Sequence, residues 1–476
     1  MSRTPPRLRD NRLAALVVVL AVFMTNLDLW IVNVALPAMG REFGASDALG
    51  DLSWVLNAYA ITLAALLVIG GRLGDRLGQR PVFLGGVVLF TLASVACALA
   101  PSLGVLVVAR VVQAAGAAAQ LPNSLALLLA VVPVERRTAA TRAWAAVGGL
   151  AAASGPVLGG FLVQLDWRWV FVVNLPIGVA TVLAGRAVLP RSPRHETGRL
   201  PDLVGAALVM AAVAAFSGAL VQAPTWGWVS GRTIGLFALA VAAAAWFVLR
   251  STRHQRPLLE LHLLRLPSFG ASSAGTLLFG TAFAMMLLSN VLWCQQVWNW
   301  SPLVTGVALV PGPVLVPVVT ALTARAAHRF GHGPLVVAGG IFFAAAMGWR
   351  VFFVSTVPDY LRDLLPSVVL GGIGVGLAMG TLVAAGVHAL PAHRSATGSG
   401  LVNSVRQISS TVGVAVLVAV VGARVDARSA LEFRWAWAIA GVLALATAAT
   451  GFTLKRPAPP TPIPVESPAS GVGSAP

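Results

Sequence analysis

With 476 residues, 57% of them hydrophobic and 10% charged, the chain is too apolar for a soluble domain of its length. The formal charge of +17 is dispersed over many short polar breaks and forms no single patch, which argues against a nucleic-acid surface. Apolar runs of about 20 residues recur between those breaks without the alternation of barrel strands, so the fold class is an all-α polytopic membrane protein.

Residues 1–12 carry four arginines and read as a cytoplasmic N-terminus, retained because no small-residue cleavage site closes a short apolar core. Caps, Pro, Gly and charge clusters then place spans at about 13–37, 51–71, 81–100, 102–131, 142–164, 168–189, 202–222, 232–250, 268–296, 302–324, 335–355, 361–389, 399–421 and 434–454. That makes about fourteen helices, and an even number leaves both ends on one side. Of the 33 basic residues, 23 fall in segments on that side and 8, Arg350 among them, on the other, which makes the side of the termini cytoplasmic. Tryptophans near the opposite ends, at 167 and 169, 226 and 228, 298 and 300, 435 and 437, read as an interfacial belt. Residues 455–476, rich in Pro, Ser and Gly, read as a disordered cytoplasmic tail. Cys97 and Cys294 both lie in apolar runs and the seven histidines show no metal-like pairing, so neither a disulfide framework nor a metal site is expected.

Of the sixteen acidic residues, only Asp28 sits well inside an apolar run. A charge there costs roughly 2.5–3.5 kcal/mol on insertion scales, which makes it a candidate functional site. Asp28 lies about two-thirds of the way along the first span, and Arg110, on the oppositely running fourth span, reaches a comparable depth. An apolar setting disfavours a carboxylate and a nearby guanidinium favours it, so proton coupling through this pair requires the two to part in one conformation. A purely structural ion pair is the alternative. Arg110, Gln113, Gln120 and Ser124 share one face of the fourth span, which is expected to line a wet cavity.

The first span has two polar sides, Thr25 with Asp28 and Asn26 with Trp30 and Asn33, so it is a central helix. The candidate substrate-cavity residues are Asn26, Trp30, Asn33, Gln113, Gln120, then Asn290, Trp293 and Gln296 on the ninth span, and Asn403 and Arg406 on the thirteenth. No catalytic residue is expected, because the cytoplasmic loops offer Arg with isolated His and acids and no cluster of them. The single lysine, Lys455, sits in no GxxxxGK[ST] loop, so direct ATP coupling is excluded.

The chain also repeats itself. GRLGDRLGQRPV at 71–82 returns as ARAAHRFGHGPL at 324–335, with Arg72, Arg76, Gly78 and Pro81 falling on Arg325, Arg329, Gly331 and Pro334. PVERRTA at 133–139 likewise matches PAHRSAT at 391–397. The offsets, 253 and 258, imply two parallel halves of six helices each, at 13–189 and 268–454, with two further helices inserted in the linker 190–267.

These residues resemble the major facilitator superfamily, and within it the fourteen-span drug:proton antiporters. LDLWIVNVALP at 27–37 is similar to that group's first-helix motif LDxTIVNVALP, with Trp30 where Thr is usual. GRLGDRLGQRPVFL at 71–84 resembles the superfamily's loop motif, ARVVQAAGAAA at 109–119 its fourth-helix motif with Ala114 in place of the first Gly, and SGPVLGG at 154–160 the fifth-helix antiporter motif. WRWVFVVNLPIG at 167–178 and SPLVTGVALVPG at 301–312 are also similar to fourteen-span members.

The resemblance implies proton-coupled export of amphipathic small molecules by two rocking bundles, with Asp28 and Arg110 coupling the proton. It implies a cytoplasmic latch of Gly71, Asp75, Arg76, Gly78 and Arg80, and conformational positions Gly155, Pro156, Gly159 and Gly160. It further implies a monomer in the bacterial inner membrane, with lipid, protons and a small-molecule substrate as partners. No cofactor beyond the proton gradient is expected. An uptake carrier or exporter of one metabolite, and more remotely a membrane transferase, are the competing readings.

Overall fold

The computed structural model describes residues 8–45, 48–133, 136–190, 202–254, 257–388, 390, 395–422 and 429–454. Among them the chain is a succession of long helices, with no strand. In the first half these are α1 (Leu8–Glu42), α2 (Leu49–Leu77), α3 (Gln79–Ala98), α4 (Leu103–Val131), α5 (Arg137–Leu165) and α6 (Trp169–Val188, interrupted at Val173). A hairpin of α7 (Leu203–Trp226) and α8 (Gly231–Arg253) follows. The second half holds α9 (Pro267–Val297, its last turn π-wound from Trp293) and α10 (Pro302–Leu309 and Pro311–Phe330). It closes with α11 (His332–Phe353), α12 (Tyr360–Leu364 and Leu365–His388), α13 (Ser395–Val421) and α14 (Ala430–Gly451). Thirteen of these helices carry stretches long and apolar enough to cross a membrane, and α5 adds the shorter apolar run Leu150–Leu165. With α5 counted as a span there are fourteen, so Leu8 and Leu454, the ends of the described residues, fall on one side, called here the terminal side.

Local chemistry sets the ends. Ser102, Asp202, Ser230, Ser301 and Asp359 each accept from a backbone N–H two or three residues into the next helix. Gly78 (φ 98°) breaks α2 from α3, and Gly331 (φ 83°) breaks α10 from α11. Both need a backbone that L side chains rarely adopt, so the two copies of the repeated segment make the same turn with the same residue. Several helices outrun their sequence-read ends. The first was expected over 13–37 but runs Leu8–Glu42 with Pro37 inside it, since neighbouring helices satisfy the groups a proline frees. The second was expected to stop near 71 but continues to Leu77, so Gly71, Asp75 and Arg76 lie on helix and only Gly78 forms the turn.

Helices α1 to α6 pack mainly among themselves, as do α9 to α14. The inserted α7 lies against both α2 and α13, bridging the two groups. The groups also meet directly along α2 with α13, where Ser404 donates to the Ala64 carbonyl at 3.3 Å, and along α5 with α10. Small residues permit the second contact: a Cβ on Gly160 would fall 2.8 Å from Leu303 Cα, and one on Gly306 would fall 3.3 Å from Val157 Cα. Ser404 and Ala64 stand near the middle of their helices, whereas the α5–α10 contact lies on the side away from the termini. There Gln295 of α9 also donates to the Val34 carbonyl of α1 at 3.2 Å, and Gln296 lines a cavity of about 20 Å³ with Leu36, Leu52 and Leu292.

Two expectations fail here for packing reasons. Within three of the tryptophan pairs one member is core: Trp167, Trp298 and Trp437 are buried, whereas Trp169 and Trp435 are exposed and fit an interfacial belt. Trp167 donates to Glu42 at 2.5 Å, a partner that a belt reading does not supply. Arg350, counted among loop arginines, lies in the last turn of α11 and is 1% exposed.

Candidate functional site

Asp28 ends up in the interior of the first group of helices. Its Oδ2 receives Arg110 Nη1 of α4 in a buried ion pair. Its Oδ1 accepts from Gln113 Nε2 of α4 at 2.9 Å and from Asn174 Nδ2 of α6 at 3.1 Å. Ser94 Oγ of α3 accepts from the same two amides, at 2.9 and 3.3 Å, and donates to the Phe90 carbonyl at 2.8 Å. Asp28, Arg110, Gln113, Ser94 and Asn174 are all at most 1% exposed. The carboxylate's partners thus come from two other helices, and the whole network is closed to water in this conformation.

Arg110 is held by more than its counter-charge. Its Nε donates to the Val55 carbonyl of α2 at 3.1 Å, its Nη1 also reaches Gln113 Oε1 at 2.6 Å, and its Cζ lies 4.1 Å from the centroid of the Tyr59 ring. The Tyr59 hydroxyl is buried without a hydrogen-bond partner. The guanidinium would therefore keep a carbonyl, an amide oxygen and an aromatic face if the carboxylate ceased to accept. That is what the chemistry of a separable pair requires.

The two polar sides of α1 behave differently. Asn26, Trp30 and Asn33 face away from this network and stay half-buried. The two amides donate back to the carbonyls of Val22 and Leu29 at 2.8 and 2.9 Å. The Trp30 ring meets Phe283 of α9 edge-on, centroids 5.7 Å apart, across the two halves. Gly155 and Gly159 of α5 let that helix press on Trp30 and Ile31, beside Pro156 inside the same helix. On α13, Asn403 and Arg406 are half-buried.

Other candidates sit elsewhere than expected. The polar face of α4 is packed, not open: Gln113 belongs to the Asp28 network, Ser124 receives Trp144 Nε1 at 2.9 Å, and Gln120 is buried with neither amide atom partnered. Trp293 is no cavity group but the centre of an aromatic cluster, with centroids 4.9 Å from Trp437 and 5.2 Å from Phe433. Asn290 is enclosed as well, and accepts from the buried Arg350, whose Nε donates to Ser367 at 2.9 Å. Around the Gly78 turn, Arg80 donates to the Arg186 carbonyl of α6, while Asp75 is exposed and has no ion-pair partner among the described residues. The expected acid–arginine latch is therefore apart here, on the side opposite to where α5 and α10 close.

Sequence reasoning missed Ser94, Asn174 and Tyr59. Ser94 is one of two hydroxyls, with Thr91, in an apolar helix, a residue that carries almost no signal by itself. Asn174 was readable, as the one side-chain amide in the sixth span.

Known proteins place this geometry in context. The Major Facilitator Superfamily sequence profile matches residues 18–202 and 203–414. The tetracenomycin C resistance and export protein of Streptomyces glaucescens is 34% identical over 412 residues, covering 86% of this chain and 76% of its own. The multidrug resistance protein Stp of Mycobacterium tuberculosis is 34% identical over 423 residues, covering 88% and 77%. The methylenomycin A resistance protein of Streptomyces coelicolor is 34% identical over 402 residues, covering 83% and 82%. A solved proton-dependent oligopeptide transporter superposes with a TM-score of 0.67 at 16% identity, over 93% of this chain and 98% of its own, which speaks to the fold alone. The chain is a multi-pass membrane protein of the Major Facilitator Superfamily of transporters.

Proposed function

We propose that this chain exports amphipathic small molecules in exchange for protons, with Asp28 as the proton carrier and the half-buried groups on α1 and α13 facing the substrate path. The observation that carries the reading is the Asp28 network. All its donors stand on α4 and α6, so protonating the acid breaks the ion pair to α4 and weakens the amide hydrogen bonds to both helices at once. A neutral acid cannot hold the Arg110 ion pair, and the guanidinium falls back on Val55, Gln113 and Tyr59. Loosening of α1 then biases the balance between the two access states. The roles of the relatives, resistance and export, support the outward direction, and the positive charge on the terminal side supports cytoplasmic termini in a bacterial inner membrane. No covalent step is part of this cycle, and the proton gradient is its energy source.

The test is uphill export in proteoliposomes with and without a pH gradient, comparing wild type with Asp28→Asn. Wild type is expected to concentrate substrate only with the gradient. Asp28→Asn is expected to retain downhill exchange and lose accumulation, whereas unchanged accumulation with the same pH dependence would refute the role. Losing one partner of a buried pair costs about 3–5 kcal/mol, so the variant's folded fraction is checked by size exclusion alongside.

A further inference from the structure

The outer surface of the first six helices carries a groove of about 460 Å³ between α3 and α6. Its α3 wall includes Pro81, Gly85, Val88 and Leu92, at i, i+4, i+7 and i+11, so one helical face forms it from end to end. Its α6 wall is Val182 and Arg186, one turn apart. The groove is built by close approach beside it: a Cβ on Gly185 would lie 2.8 Å from Leu84 Cδ2. From Pro81 to Leu92 the helix rises about 16 Å, roughly half of the ~30 Å hydrocarbon core. Val88 and Leu92 are exposed along it, and no acidic residue lines it.

Charge sits at one end only. Arg186 is exposed at the end nearest the termini, and Arg80 donates to the Arg186 main-chain carbonyl, which anchors a second guanidinium within a turn of the same spot. We propose that this groove binds an anionic phospholipid of the leaflet on the terminal side, with one acyl chain along α3 and the phosphate at Arg186 and Arg80. The length matches one leaflet, the walls match a hydrocarbon chain, and the paired guanidinium groups match a headgroup of net negative charge. The transport reading is not needed for this site.

The experiment titrates the delipidated full-length protein with phosphatidylglycerol and with phosphatidylcholine of the same chains, and reads the first retained lipid by native mass spectrometry. Wild type is expected to prefer phosphatidylglycerol by about thirtyfold, the size of effect two arginines have near an anionic headgroup. Arg186→Gln leaves the carbonyl that anchors Arg80 in place and is expected to lower the ratio to about fivefold, the share of the remaining arginine. Gly85→Leu fits, since a Cβ there meets nothing within 4 Å, and by filling the groove it is expected to lower retention of both lipids without changing the melting temperature. Equal retention of the two lipids by wild type, an undiminished selectivity in Arg186→Gln, or a self-association of the chain that Gly85→Leu abolishes while lipid retention stays unchanged would each overturn the site.

Discussion

A carboxylate that accepts from three donors on two other helices, as Asp28 does, would lose its ion pair and weaken the remaining bonds on gaining a proton. Asn174 reaches Oδ1 at 3.1 Å and shares no hydrogen bond with Arg110, so it holds the carboxylate without bonding to its counter-charge. Asn174→Ala is expected to remove a hydrogen bond to a charged group, worth roughly 1.5–3 kcal/mol, and to shift the pH dependence of export while substrate affinity holds. Initial export rates across a pH series measure it, and a superimposable profile would assign Asn174 to packing alone. Asp28 and Arg110 were legible in the sequence because charge inside an apolar run is costly and therefore conspicuous. Gln113 was legible on the Arg110 face and Asn174 could have been, but Ser94 and Tyr59 were not, because they are ordinary residues made polar ligands only by which helix faces which. Gln120 and Trp293 show the converse: helical spacing puts a residue on a face, but whether that face meets a cavity or another helix depends on the neighbours.

At the level of elements, the inserted hairpin is pinned at one point outside the membrane. Asp202 caps α7 by accepting from Gly205 N–H at 2.9 Å and binds Arg250 of α8 through its Nε, also at 2.9 Å. Burial opposes its charge, but the Gly205 N–H and the Arg250 guanidinium outweigh that and hold its carboxyl below the usual range. A folded value below the unfolded one means the stabilisation is complete above the unfolded value, about pH 4, and drains as pH falls through the folded one. Asp202→Ala is expected to cost about 1–2 kcal/mol and to flatten that acid limb in melting curves; an unchanged limb would place the acid sensitivity elsewhere.

The junction of α5 with α10 makes a second demand. Gly306→Val puts carbon where Pro156 and Val157 pass, so it is expected to separate the helices on the far side and abolish transport while expression persists. Wild-type transport by that variant would mean the contact does not form in the cycle. The repeat made the matched turns at Gly78 and Gly331 readable. Helix ends were less so, because α2 runs on past Gly71 where composition suggested a loop.

For the molecule as a whole, the side away from the termini is closed by α1 with α9 and by α5 with α10, while Asp75 on the terminal side stands apart from any ion-pair partner among the described residues. The acid inventory also bounds the substrate. Asp28 is committed to Arg110, and the half-buried groups on α1 and α13 are amides, an indole and a guanidinium. A site of that kind accommodates neutral and singly charged amphipaths and gives two separated positive charges no counter-ion. Expression in an efflux-deficient bacterium is expected to raise tolerance to such compounds and leave tolerance to dicationic antiseptics unchanged, whereas dications as preferred substrates would contradict the assignment.

The central claim is that one acid in α1 carries the proton. It is met most directly by following proton movement itself, with a pH-sensitive dye sealed inside proteoliposomes and substrate added to start exchange. Wild type is expected to give a substrate-dependent proton flux and Asp28→Asn none, although the variant still exchanges labelled substrate. A flux of wild-type size through Asp28→Asn would contradict the account.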